Sequence, residues 1–240
     1  QAGYDVSVAT QENGTYIERF KKEGFTVYPL KHLQRASLSP WNQFKTLHEL
    51  YKLYRHVRPE LVHHVAMKPV LYGTIIARLT GIPHVVNAIT GLGFMFISPT
   101  LIARALRTLF TTLLKIFSRS NVYYILQNND DQRLFARFIE SKNCILIRGS
   151  GVNTDHFTPS KKTRSTSASF TVGVPARLLW DKGIGEAIEA QKILKARGVS
   201  VTLLLAGGLD PQNPSAISST SITEWEQAGL IRWVGKIDDM

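Results

Sequence analysis

The sequence predicts an α/β protein built from two doubly wound, parallel-sheet domains, and three observations carry that reading. Short runs rich in Val, Ile and Tyr alternate with segments of helical period almost throughout, as parallel strands require because each must be joined to the next by a crossover. The Ser/Thr/Lys-rich stretch "TPSKKTRSTSAS", residues 158–169, interrupts the alternation with almost no apolar residue, as a linker or exposed crossing does. After it the alternation restarts.

"QAGYDVSVAT" reads as a helix end running into a first strand, so the chain is expected to be trimmed at its N-terminus. "FTVYPL" is the second strand. The helical segment that follows opens at Ser39-Pro40, where Ser is placed to cap and Pro to occupy the first turn. "LVHHVA", "HVVNAI", "NVYYILQ" and "CILIRG" are the next four strands, separated by helical patterns. Beyond the linker come "FTVGVPA", a helix over about 184–197, "VTLLLAGG", a helix near 220–228, and "IRWVG". The expected organisation is a first domain over 1–157, a linker over 158–169, and a second domain starting at 170 and still incomplete at 240.

Composition agrees with two folded domains. The chain has 240 residues and 44% hydrophobic content, enough for real cores. Its one cysteine, Cys144, excludes an internal disulfide framework and suits a reducing compartment. No uninterrupted apolar stretch of about 18 residues is present, so no span of the bilayer is predicted. The net charge of +11 is uneven: residues 1–150 hold 19 Lys/Arg against 9 Asp/Glu, and residues 151–240 hold 10 against 9. Between Gly24 and Asn129 the only acids are Glu49 and Glu60. Such a surface is either simply basic and solvated or attracts phosphate-bearing partners: lipid headgroups, nucleic acid or nucleotide.

The chemistry gathers at "ARLLWDKGIGEAI", residues 176–188. Arg177 follows a strand and Lys182-Gly183 precedes a helix, at the strand end where ligands of open α/β sheets sit. The helix N-terminus favours an anion, Arg forks two phosphate oxygens, and Lys adds a mobile point charge. The two cations are therefore either a diphosphate clamp or ordinary loop cations, and their placement favours the clamp. Asp181 is placed to cap the helix.

"GVPARLLWDKGIGEAIEA", "VTLLLAGG" and "IRWVGKIDDM" resemble the C-terminal domain of family-4 glycosyltransferases. "LIRGSGVNTDHFTP" and "LVHHVAMKPVLYGTIIARLTGIPHVVNAITGLG" extend the resemblance over essentially the whole chain. The family consists of retaining enzymes of the GT-B fold, two Rossmann-like domains, that use nucleotide-sugars. The subgroup most similar to this chain builds bacterial lipopolysaccharide, capsule or exopolysaccharide on a lipid carrier.

The resemblance implies a nucleotide-sugar donor, UDP-linked, and a lipid-linked glycan or polysaccharide acceptor, with the enzyme cytoplasmic and peripheral at the inner face of the cell membrane. Arg177 and Lys182 then grip the donor diphosphate, the loop after Gly207-Gly208 borders the donor site, and the backbone around Gly235-Lys236 lies against the nucleobase. With those cations offsetting the diphosphate charge, neither a metal nor another cofactor is expected. The family's two glutamates, seven residues apart, are expected downstream of residue 240, and its first strand and glycine-rich loop before residue 1. Where relatives carry a histidine at the tip of the strand matching "HVVNAI", this chain has Ile89-Thr90-Gly91. No catalytic histidine is carried over, and Thr90 and His64 stand as candidates. Lys68, in "MKP" before a helix, is either an acceptor-phosphate contact or a loop lysine.

"PTLIARALRTLFTTLLKIFSRS" contains no acid. At about 100° per residue, Arg104, Arg107, Thr108, Thr111, Thr112 and Lys115 share one face, and Ile102, Leu106, Leu109, Phe110, Leu113 and Phe117 the other. The helix from Ser39 likewise gathers Lys45, His48, Lys52 and Arg55 opposite Leu47, Tyr51 and Tyr54. The apolar faces are expected to pack on the sheet while Arg104, Arg107 and Lys115 face an anionic membrane surface. "GLGFMFIS" brings Phe94, Met95 and Phe96 beside this helix as a lid, a plug or a shallow wedge. Two other functions fit the architecture or the charge: a nucleotide-sugar epimerase, and a non-enzymatic basic nucleic-acid binder, for which no motif speaks.

Overall fold

The computed structural model of the chain describes residues 3–12, 16–34, 37, 39–149, 151–158, 170–211, 213 and 215–237, the side chains of Phe94 and Ile97 aside. It divides into two compact units, Gln1–Phe157 and Thr158–Met240. The linker expected over 158–169 lies, from 159 on, outside the described residues.

All nine apolar runs become strands, and every pairing is parallel. In the first unit, β1 (Ser7–Gln11) pairs with β2 (Thr26–Leu30), with α1 (Ile17–Lys22) between them in the chain. A separate sheet takes β3 (Leu61–Val65), β4 (His84–Ile89), β5 (Val122–Leu126) and β6 (Cys144–Leu146) in chain order. The crossovers are α2 (Pro40–Val57) into β3, α3 (Met67–Thr80) into β4, α4 (Gly93–Ile97) with α5 (Leu101–Phe117) into β5, and α6 (Asn129–Phe135) into β6. α2 packs on α3 and α3 on α5. Period-2 burial in β3, β4 and β5 turns Val62, His64, Val85, Asn87, Ile89, Val122, Tyr124 and Leu126 inward. The second unit has the order β7 (Phe170–Pro175), β8 (Val201–Ala206), β9 (Arg232–Trp233), with α7 (Ile184–Ala196) and α8 (Ser219–Gln227) as crossovers. Leu178, Ile184, Ile188, Leu203, Leu205, Ile217 and Ile222 form its core.

Helix ends follow local chemistry in α5 and α6 but not at the start of α2. Thr100 Oγ1 accepts from the Ala103 N–H to start α5, and Asn128 Oδ1 accepts from the Asp131 N–H to start α6. Pro40 occupies the first turn of α2, but Ser39 makes no side-chain cap bond; the proline's fixed φ sets the entry there.

Two helices bury different rows from those the sequence suggests. In α2 the inward row is Thr46, Leu50 and Tyr54, at i, i+4, i+8, which leaves Tyr51 exposed on the outer side. In α5 the buried row is Ala103, Phe110 and Leu114. Ile102 and Leu109, expected to pack, are 70% and 55% exposed. The apolar arc of α5 is wider than one contact can cover, and the part that packs is the row through Ala103, Phe110 and Leu114. That rotation takes Arg107 to the margin of the contact, half-buried, with its guanidinium 5.9 Å from the Phe96 ring centroid and Nη1 3.5 Å from the Phe96 carbonyl oxygen. Met95 and Phe96 of α4 are partly buried on the core, Phe96 edge-on to Phe110, so of the three options for this loop they take the plug. The Phe94 side chain is outside the described residues.

A buried polar chain ties α2, β3, β4 and α3 together. His64 Nδ1 lies 2.7 Å from Asn87 Oδ1 and Nε2 lies 2.7 Å from the Tyr54 hydroxyl, while Asn87 Nδ2 donates to Thr74 Oγ1 at 2.9 Å. Since a carbonyl oxygen only accepts, His64 donates from Nδ1, and with the buried ring neutral its Nε2 accepts from the Tyr54 hydroxyl. Burial holds its pKa down at about 4, against the opposing effect of the Asn87 hydrogen bond. Gly73 on α3 makes room, because a Cβ there would overlap the His64 ring.

Between pH 6.5 and about 4 the unfolded chain binds a proton at this histidine that the folded chain refuses. The corresponding stability is complete above pH 6.5 and is lost as pH falls to about 4, roughly 3 kcal/mol in all. Urea unfolding at pH 7 and pH 4.5 is expected to show this loss, and a His64→Gln variant to flatten it. Gly73→Ala is expected to destabilise by about 2 kcal/mol through overpacking. A pH dependence unchanged in His64→Gln would remove the histidine from this role.

Candidate functional site

The second unit brings most of the expected donor-site residues into one small region. β7 ends at Pro175 and the chain continues through Ala176 and Arg177 into the fully buried pair Leu178-Leu179, which anchors the turn in the core. A 3₁₀ turn, Trp180–Lys182, follows, and Gly183 takes a left-handed φ of 73° before α7 begins. Only glycine adopts that conformation cheaply, so the Lys-Gly pair fixes where the helix starts. No side chain caps α7. Asp181, expected as the cap, stands two residues too early, because Gly183 occupies the cap position. The amides of the first turn lack intrahelical acceptors and carry the positive end of the helix.

Backbone contacts draw the glycine loops in. A Cβ on Gly207 would overlap the Ala176 carbonyl oxygen, so the strand ends meet main chain to main chain. The Gly207 N–H donates to the Gly235 carbonyl at 2.8 Å, and the Leu178 N–H to the Gly208 carbonyl at 3.2 Å. The Trp233 indole donates to the Gly207 carbonyl at 2.9 Å. A Cβ on Gly208 would stand 3.7 Å from Lys236 Cβ, and Gly235 has φ 74°. Gly207 and Gly208 thus lie against the Ala176–Leu178 turn, with Gly235 and Lys236 packed on them in turn. Lys182 stands at the other end of the turn, exposed, and among the described residues its ammonium meets no carboxylate.

Asp210 is the residue that sequence reading missed. Arg177 Nη1 donates to its Oδ2 at 2.8 Å, with Arg177 half-exposed and the carboxylate mostly buried. The signal was present: Asp210 is the only acid between Glu189 and Glu224, three residues after Gly207. At such exposure the pair is worth at most about 1 kcal/mol, enough to orient the guanidinium.

In the first unit the candidates separate. Thr90 is exposed at the carboxyl end of β4. His64 is in the core with both ring nitrogens engaged. Lys68, at the start of α3, donates to the Gln34 and Ser37 carbonyls at 2.7 and 2.5 Å, and burial lowers its pKa. Two of its three N–H donors hold the loop before α2. Arg104 and Lys115 are exposed on α5, and Arg107 is half-buried on Phe96. Ala66, between β3 and α3, has φ 73° and ψ 160°, a region nearly confined to glycine. Among the described residues no three His, Cys, Asp or Glu side chains are placed to hold a metal ion.

A family model for glycosyl transferase 4-like proteins matches residues 1–129. A Campylobacter jejuni protein, N,N'-diacetylbacillosaminyl-diphospho-undecaprenol alpha-1,3-N-acetylgalactosaminyltransferase, is 26% identical over 238 residues, covering 94% of this chain and 60% of that protein. The capsular polysaccharide biosynthesis glycosyltransferase CapM of Staphylococcus aureus is 26% identical over 223 residues, 87% of this chain and 55% of that protein. The chain therefore spans three fifths or less of either relative. Sucrose-phosphate synthase from Thermosynechococcus elongatus superposes with a TM-score of 0.70 at 19% identity, over 99% of this chain and 62% of its own. That likeness is one of fold, the GT-B class of α/β proteins with parallel sheets.

Gly207→Ala is expected to lower the stability of the second unit by about 2 kcal/mol or more, since backbone must move to admit the methyl group. Gly173→Ala, where a Cβ meets open space, should be close to neutral. Ala66→Gly should raise the stability of the first unit by about 1 kcal/mol by relieving its backbone strain. Denaturant unfolding of the three variants checks the set; equal midpoints for Gly207→Ala and Gly173→Ala would refute the close approach.

Proposed function

The chain belongs to the glycosyl transferase 4-like family, and from that premise we propose that it moves a sugar from a UDP-linked nucleotide-sugar to a lipid-linked glycan or polysaccharide acceptor, with retention of configuration. One observation carries the proposal: Lys182 stands directly before the uncapped N-terminus of α7, and the Arg177 turn lies against a cradle of glycine backbone formed by Gly207, Gly208 and Gly235. Such a cradle suits a diphosphate, since its donors are backbone amides and cations and its glycines let the ligand approach the main chain.

In the proposed reaction the bond between the anomeric carbon and the diphosphate oxygen breaks, and the electron pair leaves with the diphosphate. Arg177 and Lys182 stabilise that growing charge, so the reading calls for no metal. An acceptor hydroxyl oxygen forms the new bond to the anomeric carbon, and its proton passes to the departing diphosphate. Asp210 holds Arg177 in position before the donor arrives. Lys236 and the Gly235 backbone take the nucleobase side, Lys68 takes the acceptor side, and Thr90 is the candidate for the chemistry. An undecaprenol-diphosphate acceptor in the Campylobacter relative's name supports a lipid carrier, and hence a place at the cytoplasmic face of the cell membrane. Among the described residues no helix is long and apolar enough to cross a membrane.

In the full chain, Arg177→Ala and Lys182→Ala are each expected to lower the rate of sugar transfer by roughly two to three orders of magnitude. The assay follows a panel of nucleotide-sugars with a polyprenyl-diphosphate-linked acceptor, and the anomeric configuration of the product tests retention. Wild-type rates in both variants would overturn the clamp. Release of free sugar or of an altered nucleotide-sugar without acceptor would mark an epimerase instead.

A further inference from the structure

The first unit has a cleft on the edge opposite Lys68 and Thr90. It lies at the amino edge of the β3–β6 sheet, where loop 81–83 leads into β4 and loop 118–121 into β5. Its volume is about 360 Å³, within the range of sites that hold small organic molecules. Ala77, Val85 and Phe117 supply its apolar surface, and Arg78, Arg119 and Asn121 its larger polar groups.

Arg78 is out of place in an ordinary surface cleft. Among the described residues two side-chain polar atoms are sealed from solvent without a hydrogen-bond partner, Arg78 Nη1 and Asn143 Oδ1, and only the first belongs to a charged group. A buried donor left unpaired is costly and rare in native structures. Two carbonyls of the cleft, those of Ile82 and Pro83, accept from Asn121 Nδ2 at 3.4 and 2.6 Å and not from Arg78. No Asp or Glu occurs from Leu61 through Asn129, and neither arginine has a carboxylate partner among the described residues. Glu60 lines a neighbouring cleft, where Arg55 and Arg58 accompany it.

We propose that the amino-edge cleft binds a small organic monoanion, an apolar body bearing one carboxylate, and that Arg78 and Arg119 hold the charged end. Such a ligand is neither sugar donor nor acceptor, and its site stands whether or not the chain transfers sugar.

Charge selects the ligand. Arg78 and Arg119 bring two positive charges. α3 ends at Thr80 and α5 at Phe117, so two helix C-termini meet the cleft, each carrying about half a negative charge. The sum is about one positive charge. One carboxylate offsets it, whereas a phosphate group at about −1.5 to −2 exceeds it. A guanidinium also forks a carboxylate through two parallel N–H bonds, which gives Arg78 Nη1 the acceptor that the fold withholds. A water molecule there would accept one hydrogen bond and leave the charge without a counterion. The usual task of an arginine in a last helical turn is to cover the final carbonyls, but Nη1 bonds to none of them.

Benzoate tests the site, with benzamide as its uncharged counterpart and phenyl phosphate as the more highly charged one. In the full, isotope-labelled chain, benzoate is expected to shift the amide signals of Gly81, Ser120 and Asn121. Benzamide should leave them in place, and phenyl phosphate should bind about tenfold more weakly than benzoate. Arg78→Gln should weaken benzoate binding tenfold or more. Without benzoate, Arg78→Met should raise the urea midpoint of the first unit, because it removes a sealed, unpaired donor and keeps an apolar stem; an arginine needed only to neutralise its helix end would give the reverse. Unchanged benzoate binding by Arg78→Gln, benzamide or phenyl phosphate binding as tightly as benzoate, a lowered midpoint for Arg78→Met, or shifts confined to Lys182 and Gly183 would each overturn the proposal.

Discussion

Every ladder in both units is parallel, and a parallel ladder cannot be closed by a tight turn. Each strand must be followed by a crossover that carries the chain back, and that constraint sets the rest. It puts the start of every crossover helix at the carboxyl edge of its sheet. Loops and helix N-termini therefore gather on one edge of each unit. Lys68 and Thr90 stand on that edge in the first unit, and Arg177, Lys182, Gly207 and Gly208 in the second.

The edge is usable only because what lies beneath it is fixed. In the first unit the Tyr54–His64–Asn87–Thr74 chain spans two helices and two strands, with each member's partner defined. A satisfied buried network of this kind specifies a single packing, whereas a partly satisfied one would be worse than an apolar core. In the second unit the same service comes from backbone: Leu178-Leu179 in the core and Gly207 against Ala176 leave the Arg177 turn little freedom. Asp210 then fixes the guanidinium itself.

Helix α5 shows how one pattern supports two outcomes. An apolar arc broader than a single contact leaves a choice of which part to bury, and the packing chose the row Ala103, Phe110 and Leu114. Arg107 was thereby turned toward Phe96 and four aliphatic side chains outward. Hydrophobic periodicity states that a helix has an apolar side; it does not state where that side's centre meets a neighbour.

The sequence by itself determined the order of strands and helices, the parallel α/β class and the family, because period, turn chemistry and short motifs are local properties of the chain. All nine strand positions, the start of α7 at Lys182-Gly183 and the place of Arg177 at a strand end were legible there. Long-range packing decided the rest. That His64 is neutral and sealed depends on Tyr54 and Asn87 arriving from other elements. Asp210 reaches Arg177 across 33 positions, and Lys68 is claimed by carbonyls more than 30 residues earlier. A motif fixes which groups a loop carries, but which of them remain available to a ligand is settled only when distant segments have taken their share of donors, acceptors and space.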